Sequence, residues 1–409
     1  MSGLLPPDWL NEARRQVQSA PPNLWPGFDP GRVPLLIFDG GATYLSGAAP
    51  QEPGWEAVEG GWAWRGRHPT LTANTAVTLP GGLVAAGVLA GNLNGLGPRR
   101  LAALLVHEAF HVFQRAHPSP AWEANELDAL TYPRTNSAVA HARAEEAQAL
   151  SAALGSLSGW EDAARGALAW RAERFRHLSP EHRRFERRME TLEGLAQFVE
   201  TRFLGELPRL DGRTDAGADV RGWAYRSGAA LAHLLSRGAD GWQAEVTAGE
   251  PLDEVLRAHL GTAALPSPTP ALVETEQLAT SQEETRLNAR LDAFRALPGP
   301  RLSLQTEVPL RVVGFDPLNL HVLPGGSLLH TRYLRLSGSG VEVEVLGAQA
   351  LARGPGPLTV TALEVVGVPG NLVSTLKAGT WRLDSEVLSV QAPQDYVMRD
   401  GDDGWYLRL

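Results

Sequence analysis

The 409-residue chain is 43% apolar, more core-forming material than one hydrophobic core usually serves, so two or three domains are expected. It has no cysteine, which excludes disulfides and thiolate metal sites and leaves His, Asp and Glu as side chains able to hold a metal. A formal net charge of -9 argues against nucleic acid as the main partner, because phosphate binding needs a cationic surface.

In chain order, the opening MSGLLPPDWLNEARRQ lacks a basic region followed by an apolar stretch and does not read as a signal peptide. With no cysteine, a reducing cytoplasmic setting is expected. The most apolar window, GGLVAAGVLAG, is too short to span a bilayer, so no membrane span is expected. VPLLIFDGG, ANTAVTL and LVAAGVL carry strand signals, the last two joined by a turn at Pro80, Gly81 and Gly82. Pro98 opens a helix that Pro118 closes. From Ser137 to Leu260, Ala, Glu, Arg and Leu recur at helical spacing. TAALPSPTPAL follows as an extended linker, and ETEQLATSQEETRLNARLDAFRAL as one exposed amphipathic helix. Beyond Pro300 the pattern alternates, in VEVEVLG, PLTVTALEVV and WYLRL. The expected fold class is α+β, in which an N-terminal β-rich lobe (1–97) packs on a mainly helical domain (98–262). A linker with its helix (263–300) and an all-β C-terminal domain (301–409) complete the chain.

The helix between the two prolines contains LLVHEAFHVFQ. At about 100° per residue, His107 and His111 lie about 40° apart around the axis and one turn apart along it, so both can reach one ion. Glu108 sits beside the pair, where it can hold a water for attack, which is the arrangement of a zinc hydrolase. Chance alone yields an HExxH in roughly one or two such chains in a hundred. Apolar residues nearly surround the helix, however, so it is expected to be buried, and burying these three polar groups without partners costs several kcal/mol.

Zinc calls for a third protein ligand. In FERRMETLEGLAQFVETRF, a stripe of Glu186, Glu190, Glu193, Gln197 and Glu200 opposes an apolar side. The plainest reading is a solvated acidic face balanced by nearby arginines. Gly194 resists it, because glycine inside a helix costs roughly 1 kcal/mol relative to alanine and calls for a close neighbour. The helix bearing the two histidines is the expected neighbour. Glu193 borders the apolar side and is preferred as ligand. Glu190, one turn earlier, is the alternative, or a residue that orients a ligating imidazole, and Glu200 should matter least. In GWAYRSGAALAHLLSRG the polar candidates are Tyr225 and His233; by residue type alone, Tyr225 packs its ring and hydrogen-bonds nearby.

The order HEAFH, EGLAQFVE about eighty residues later, then YRSGAALAHLL, resembles the gluzincin metallopeptidases of the MA clan, particularly bacterial members with a long helical insertion. The resemblance spans Leu83 to Leu260 at most. It implies Zn²⁺ bound by His107, His111 and Glu193, with Glu108 activating water and Tyr225, or else His233, steadying the oxyanion. The chain departs from many relatives at Phe198, where they carry Tyr, and at Ser236, where they carry Asp. Relatives also pair an extended substrate with a strand ahead of the motif helix, a place that LVAAGVL holds here. A metallopeptidase cleaving a peptide or protein substrate is therefore expected. The alternatives are an inactive relative kept as a binding or structural protein, and a zinc hydrolase of a non-peptide amide or ester.

Overall fold

The computed structural model describes residues 7–90, 97–210, 220–368, 373–377, 379–394, 397–401 and 404–408. The first six residues, which form part of the stretch read for a leader, and Leu409 of WYLRL lie outside them. Two compact units result: Met1–Asn125 with Ala138–Val273, and Glu126–Ser137 with Glu274–Leu409.

In the first unit α1 (Pro7–Gln18) precedes six strands: β1 (Leu35–Phe38), β2 (Ala42–Ser46), β3 (Trp55–Val58), β4 (Gly61–Arg65), β5 (Thr75–Thr78) and β6 (Val84–Leu89). They form one sheet in the order β3-β4-β2-β1-β6-β5. Only the β1/β6 pair is parallel, with Ile37 opposite Val88. Side chains alternate between faces: Leu36 and Ala85 join a small cluster with Leu45, Leu71 and Val77, while Leu35, Ile37, Ala86 and Val88 join the main core. Burial on both faces explains why these strands read as nearly continuous apolar runs. The expectation that LVAAGVL offers a free edge is corrected here. β6 is hydrogen-bonded on both sides, to β1 and β5, so the free edge belongs to β5.

α2 (Gly97–Ala116) crosses this sheet, and the helical region continues with α3 (Ser137–Gly155), α4 (Trp160–Arg176) and α5 (Pro180–Met189). α6 (Leu195–Leu204), α7 (Val220–Gly238), α8 (Trp242–Thr247) and α9 (Leu252–Leu260) follow. Ser179 starts α5 by accepting the His182 N–H, with Pro180 preset in the first turn. Leu10 of α1, Ile37 of β1, Leu105 of α2, Phe198 of α6 and Leu231 of α7 share a single core, so the N-terminal strands pack directly on the helices after them.

The second unit is built on β7 (Arg301–Phe315), which pairs antiparallel with Tyr333–Gly338 and Thr359–Val366 and parallel with Gly404–Arg408. All other pairs among the twelve described strands of this sheet are antiparallel. α10 (Pro270–Arg295) starts earlier than its sequence suggests, since Pro270 fits a first helical turn. Its far end supplies Phe294 to a cluster with Leu323, Leu329, Leu351 and Val366. No helix among the described residues is long and apolar enough to cross a membrane.

Candidate metal centre

α2 is held rigidly, because Leu105, Val106, Ala109 and Phe110 are fully buried and the Phe110 ring packs edge-on against Trp25 and Phe28. One side of this helix turns His107 and His111 toward α6 and the turn that precedes it. Each imidazole is anchored through Nδ1. That of His107 lies 3.1 Å from Glu200 Oε2, and that of His111 lies 2.7 Å from Gln114 Oε1. Gln114 is itself fixed by donating to the Leu192 carbonyl at 2.9 Å. Both Nε2 atoms are thereby aimed at Glu193 Oε2, at 3.7 Å from His107 and 3.1 Å from His111. Ligands about 2.0 to 2.1 Å from a tetrahedral ion stand about 3.3 Å from one another, and the two distances to Glu193 Oε2 fall on either side of that value, with all three donor atoms within 4.8 Å of one another. His107, His111 and Glu193 form a group that could hold a metal.

Glu193 reaches this point because its helix is interrupted. Residues Glu190–Gly194 form a π-turn between α5 and α6, a widened turn of the kind frequent at functional sites. Gly194 does have a close neighbour, but not the expected one. A Cβ built on it would stand 2.7 Å from the Gly228 Cα, and one built on Gly228 would stand 2.6 Å from the Glu190 carbonyl oxygen. The pair of glycines thus lets α7, rather than α2, press against the π-turn. That contact carries Tyr225 to the site: its ring lies parallel to His107, centroids 6.0 Å apart. Arg221, one turn earlier on α7, donates to Glu193 Oε1 at 3.1 Å and to the Tyr225 hydroxyl at 3.2 Å.

Glu108 is buried beside this group, and its Oε2 has no hydrogen-bond partner. Burial raises its carboxyl above the usual range, against the pull of His107 and His111. For His107, burial opposes the charged form, yet the facing carboxylates of Glu193 and Glu200 outweigh it and lift the imidazole to about 10. Burial likewise opposes charge on Glu193, but the imidazoles of His107 and His111 facing it keep it well below the usual carboxylate range. Tyr225 is pushed up by burial and then by Glu193. The cavity is therefore one in which carboxylates favour a cation at the Nε2 side of the imidazoles.

Several sequence expectations move. Glu190 does not approach the imidazoles. It accepts from Arg171 at 2.6 and 2.8 Å and from Ser227 at 2.5 Å, within a buried network in which Arg171 and Arg174 also hold Glu146, and Arg174 holds Glu186. Glu200, expected to matter least, is the residue that orients His107. The acidic stripe is accordingly not a solvated face: Glu186, Glu190 and Glu193 are all buried. His233 is not among the grouped residues: it packs on Phe198 and is hydrogen-bonded to Thr201, and burial lowers it to about 4. Arg221 and Gln114 went unnoticed in the sequence; position 114, three residues beyond His111 on the same helix face, was the available signal for the latter.

No family model, no curated protein and no solved structure matches this chain.

Proposed function

We propose that the chain is a zinc-dependent hydrolase of peptide bonds in the gluzincin manner, with His107, His111 and Glu193 as its metal ligands. The observation that carries this reading is the approach of both Nε2 atoms to a single Glu193 oxygen, with each opposite ring nitrogen already anchored. Such outer partners set ring orientation and ligand basicity in metal sites. A bound Zn²⁺ supplies Lewis acidity toward a carbonyl oxygen and toward water. Glu108, with one oxygen unpartnered, takes the proton from the attacking water and passes it to the departing amine. The Tyr225 hydroxyl donates to the oxyanion that develops on the attacked carbonyl, and Arg221 holds that hydroxyl in place. β5, the free edge next to α2, aligns an extended substrate through backbone hydrogen bonds.

The deciding experiment pairs zinc analysis with a chromogenic and peptide substrate screen on the wild-type chain and on Glu108→Gln. One zinc per chain in both, with hydrolysis in the wild type alone, is expected. Zinc without hydrolysis in either would make the chain a metal-holding binding module. Failure to take up zinc would remove the reading altogether.

A further inference from the structure

The buried network that engages Glu190 takes no part in the chemistry proposed above, yet one end of it lies on α7, the helix that carries Tyr225. Ser227 is fully buried, and its hydroxyl donates to Glu190 Oε1 at 2.5 Å. Arg171 of α4 holds the same carboxylate at 2.6 and 2.8 Å, and is itself held by Glu146 of α3 at 2.8 Å. All four side chains are buried, so water does not compete for these bonds. The close contact between α7 and the π-turn runs through Ala224 and Gly228, where a Cβ built on Gly194 would meet the Ala224 carbonyl oxygen at 3.0 Å and the Gly228 Cα at 2.7 Å. Around the axis of α7, Tyr225 stands about 60° to one flank of Gly228 and Ser227 about 100° to the other. The glycine contact limits how near the two segments come, but it is not directional and lets α7 turn upon it. Arg221 also reaches this segment from α7, but its long side chain is 49% exposed and can follow such a turn. The Ser227 bond is directional, buried, and placed on the flank opposite Tyr225.

We infer that Ser227 is a positioning residue: its bond to Glu190 sets the rotation of α7 and thereby the place of the Tyr225 hydroxyl at the metal centre. The consequence for turnover rests on the hydrolase reading above, whereas the placement of Tyr225 does not. A turn of α7 by about 10° displaces a group about 5 to 6 Å from its axis by about 1 Å. A misplacement of that size at a reacting centre costs about a hundredfold in rate. The inference also gives the buried charges a task. Buried ion pairs add little stability over apolar packing, but a satisfied polar network fixes one arrangement of the elements that share it. Here those elements are α3, α4, the π-turn and α7, and the arrangement they fix is the approach of Tyr225 to His107.

The test uses the full chain labelled with 3-fluorotyrosine and read by fluorine NMR. Of its six tyrosine signals, the one absent from Tyr225→Phe belongs to Tyr225. Ser227→Ala should shift that signal and leave in place the signal of Tyr44, assigned in the same way through Tyr44→Phe. Zinc affinity, from competition with a chelating dye, should stay well inside the roughly tenfold loss expected of a residue that orients a ligand, because the Ser227 bond goes to Glu190. On any substrate that the wild-type chain cleaves, Ser227→Ala should lower kcat by about ten to a hundredfold with little change in KM. In the Tyr225→Phe background the same substitution should cost nothing further, since it acts through the tyrosine. Ser227→Cys, which nearly keeps the volume but donates weakly, takes the place of the alanine variant if that chain does not fold. An unmoved Tyr225 signal, loss of zinc, or an equal loss of kcat with and without the Tyr225 hydroxyl would overturn the inference. If no chain hydrolyses any substrate, the Tyr225 signal and the zinc affinity decide alone, and the hydrolase reading is what fails.

Discussion

Glu200 Oε2 meets His107 Nδ1 at 3.1 Å, so the ring is turned by a carboxylate two helical turns beyond the one it faces through Nε2. Glu193→Ala should strip zinc, whereas Glu200→Ala should weaken zinc binding by roughly ten to a hundredfold. Glu190→Ala should leave the affinity nearly intact in whatever fraction stays folded. A competitive titration against a chelating dye orders the three variants. A Glu200 variant with wild-type affinity would show that the carboxylate is idle.

Arg171 touches Glu146 and Glu190 with its side chain only 1% exposed. Arg171→Met keeps most of the volume but leaves two buried carboxylates short of a counter-charge, and should cost about 3 to 5 kcal/mol. Urea unfolding of the full chain, read by the tryptophans of the first unit, measures it. A loss below about 1 kcal/mol would mean that water or protonation of Glu190 substitutes for the lost cation.

Gly194→Ala and Gly228→Ala each place a methyl group where backbone atoms stand within 2.7 Å. Overpacking of this kind costs about 1 to 3 kcal/mol or more. Because α7 carries Tyr225, either variant should also lower kcat on any substrate found. Thermal unfolding at wild-type temperature in both would disprove the close contact.

His330 in the second unit is buried, neither ring nitrogen has a hydrogen-bond partner, and burial lowers it to about 4. An unfolded histidine titrates near 6.5, so between about 6.5 and 4 the unfolded chain binds the extra proton and the fold does not. Stability from this residue is therefore complete above about 6.5 and declines as pH falls, by an amount on the order of 3 kcal/mol at the acid end. His330→Leu should flatten that decline. Denaturation midpoints at pH 7 and pH 4.5 for both chains give the answer, and parallel acid losses would exclude His330 as the cause.

The sequence made some of this visible for definite physical reasons. The two histidines are one turn apart on a helix whose apolar surroundings announce burial, and Gly194 advertises a tight contact because glycine is otherwise a poor helix residue. The α+β class followed from the change from helical spacing to alternation near Pro300. Other features had no one-dimensional trace. An acidic stripe looks solvated until Arg171 and Arg174 arrive from another helix to neutralise it. The contact partner of Gly194 depended on a glycine 34 positions away. The turn at Pro80, Gly81 and Gly82 announced that ANTAVTL lies next to LVAAGVL, but the parallel pairing of LVAAGVL with β1, some fifty residues away, had no local trace.

The π-turn at Glu190–Gly194 gives one continuous helical path two independent angular phases. In an uninterrupted α-helix, Glu190 and Glu193 would point only about 60° apart and would compete for the same surroundings. Widening the turn between them assigns the first to Arg171 and the second to the imidazoles of α2. The segment is thus a register device whose tolerance is asymmetric. Substitutions that keep its length and spare Glu190, Glu193 and Gly194 should preserve the division, whereas loss of one residue would let the path return to a regular α-helix, in which the two carboxylates compete again. The widened turn, together with the two carboxylates and the glycine it carries, is what separates the carboxylate that meets Arg171 from the one that faces the imidazoles.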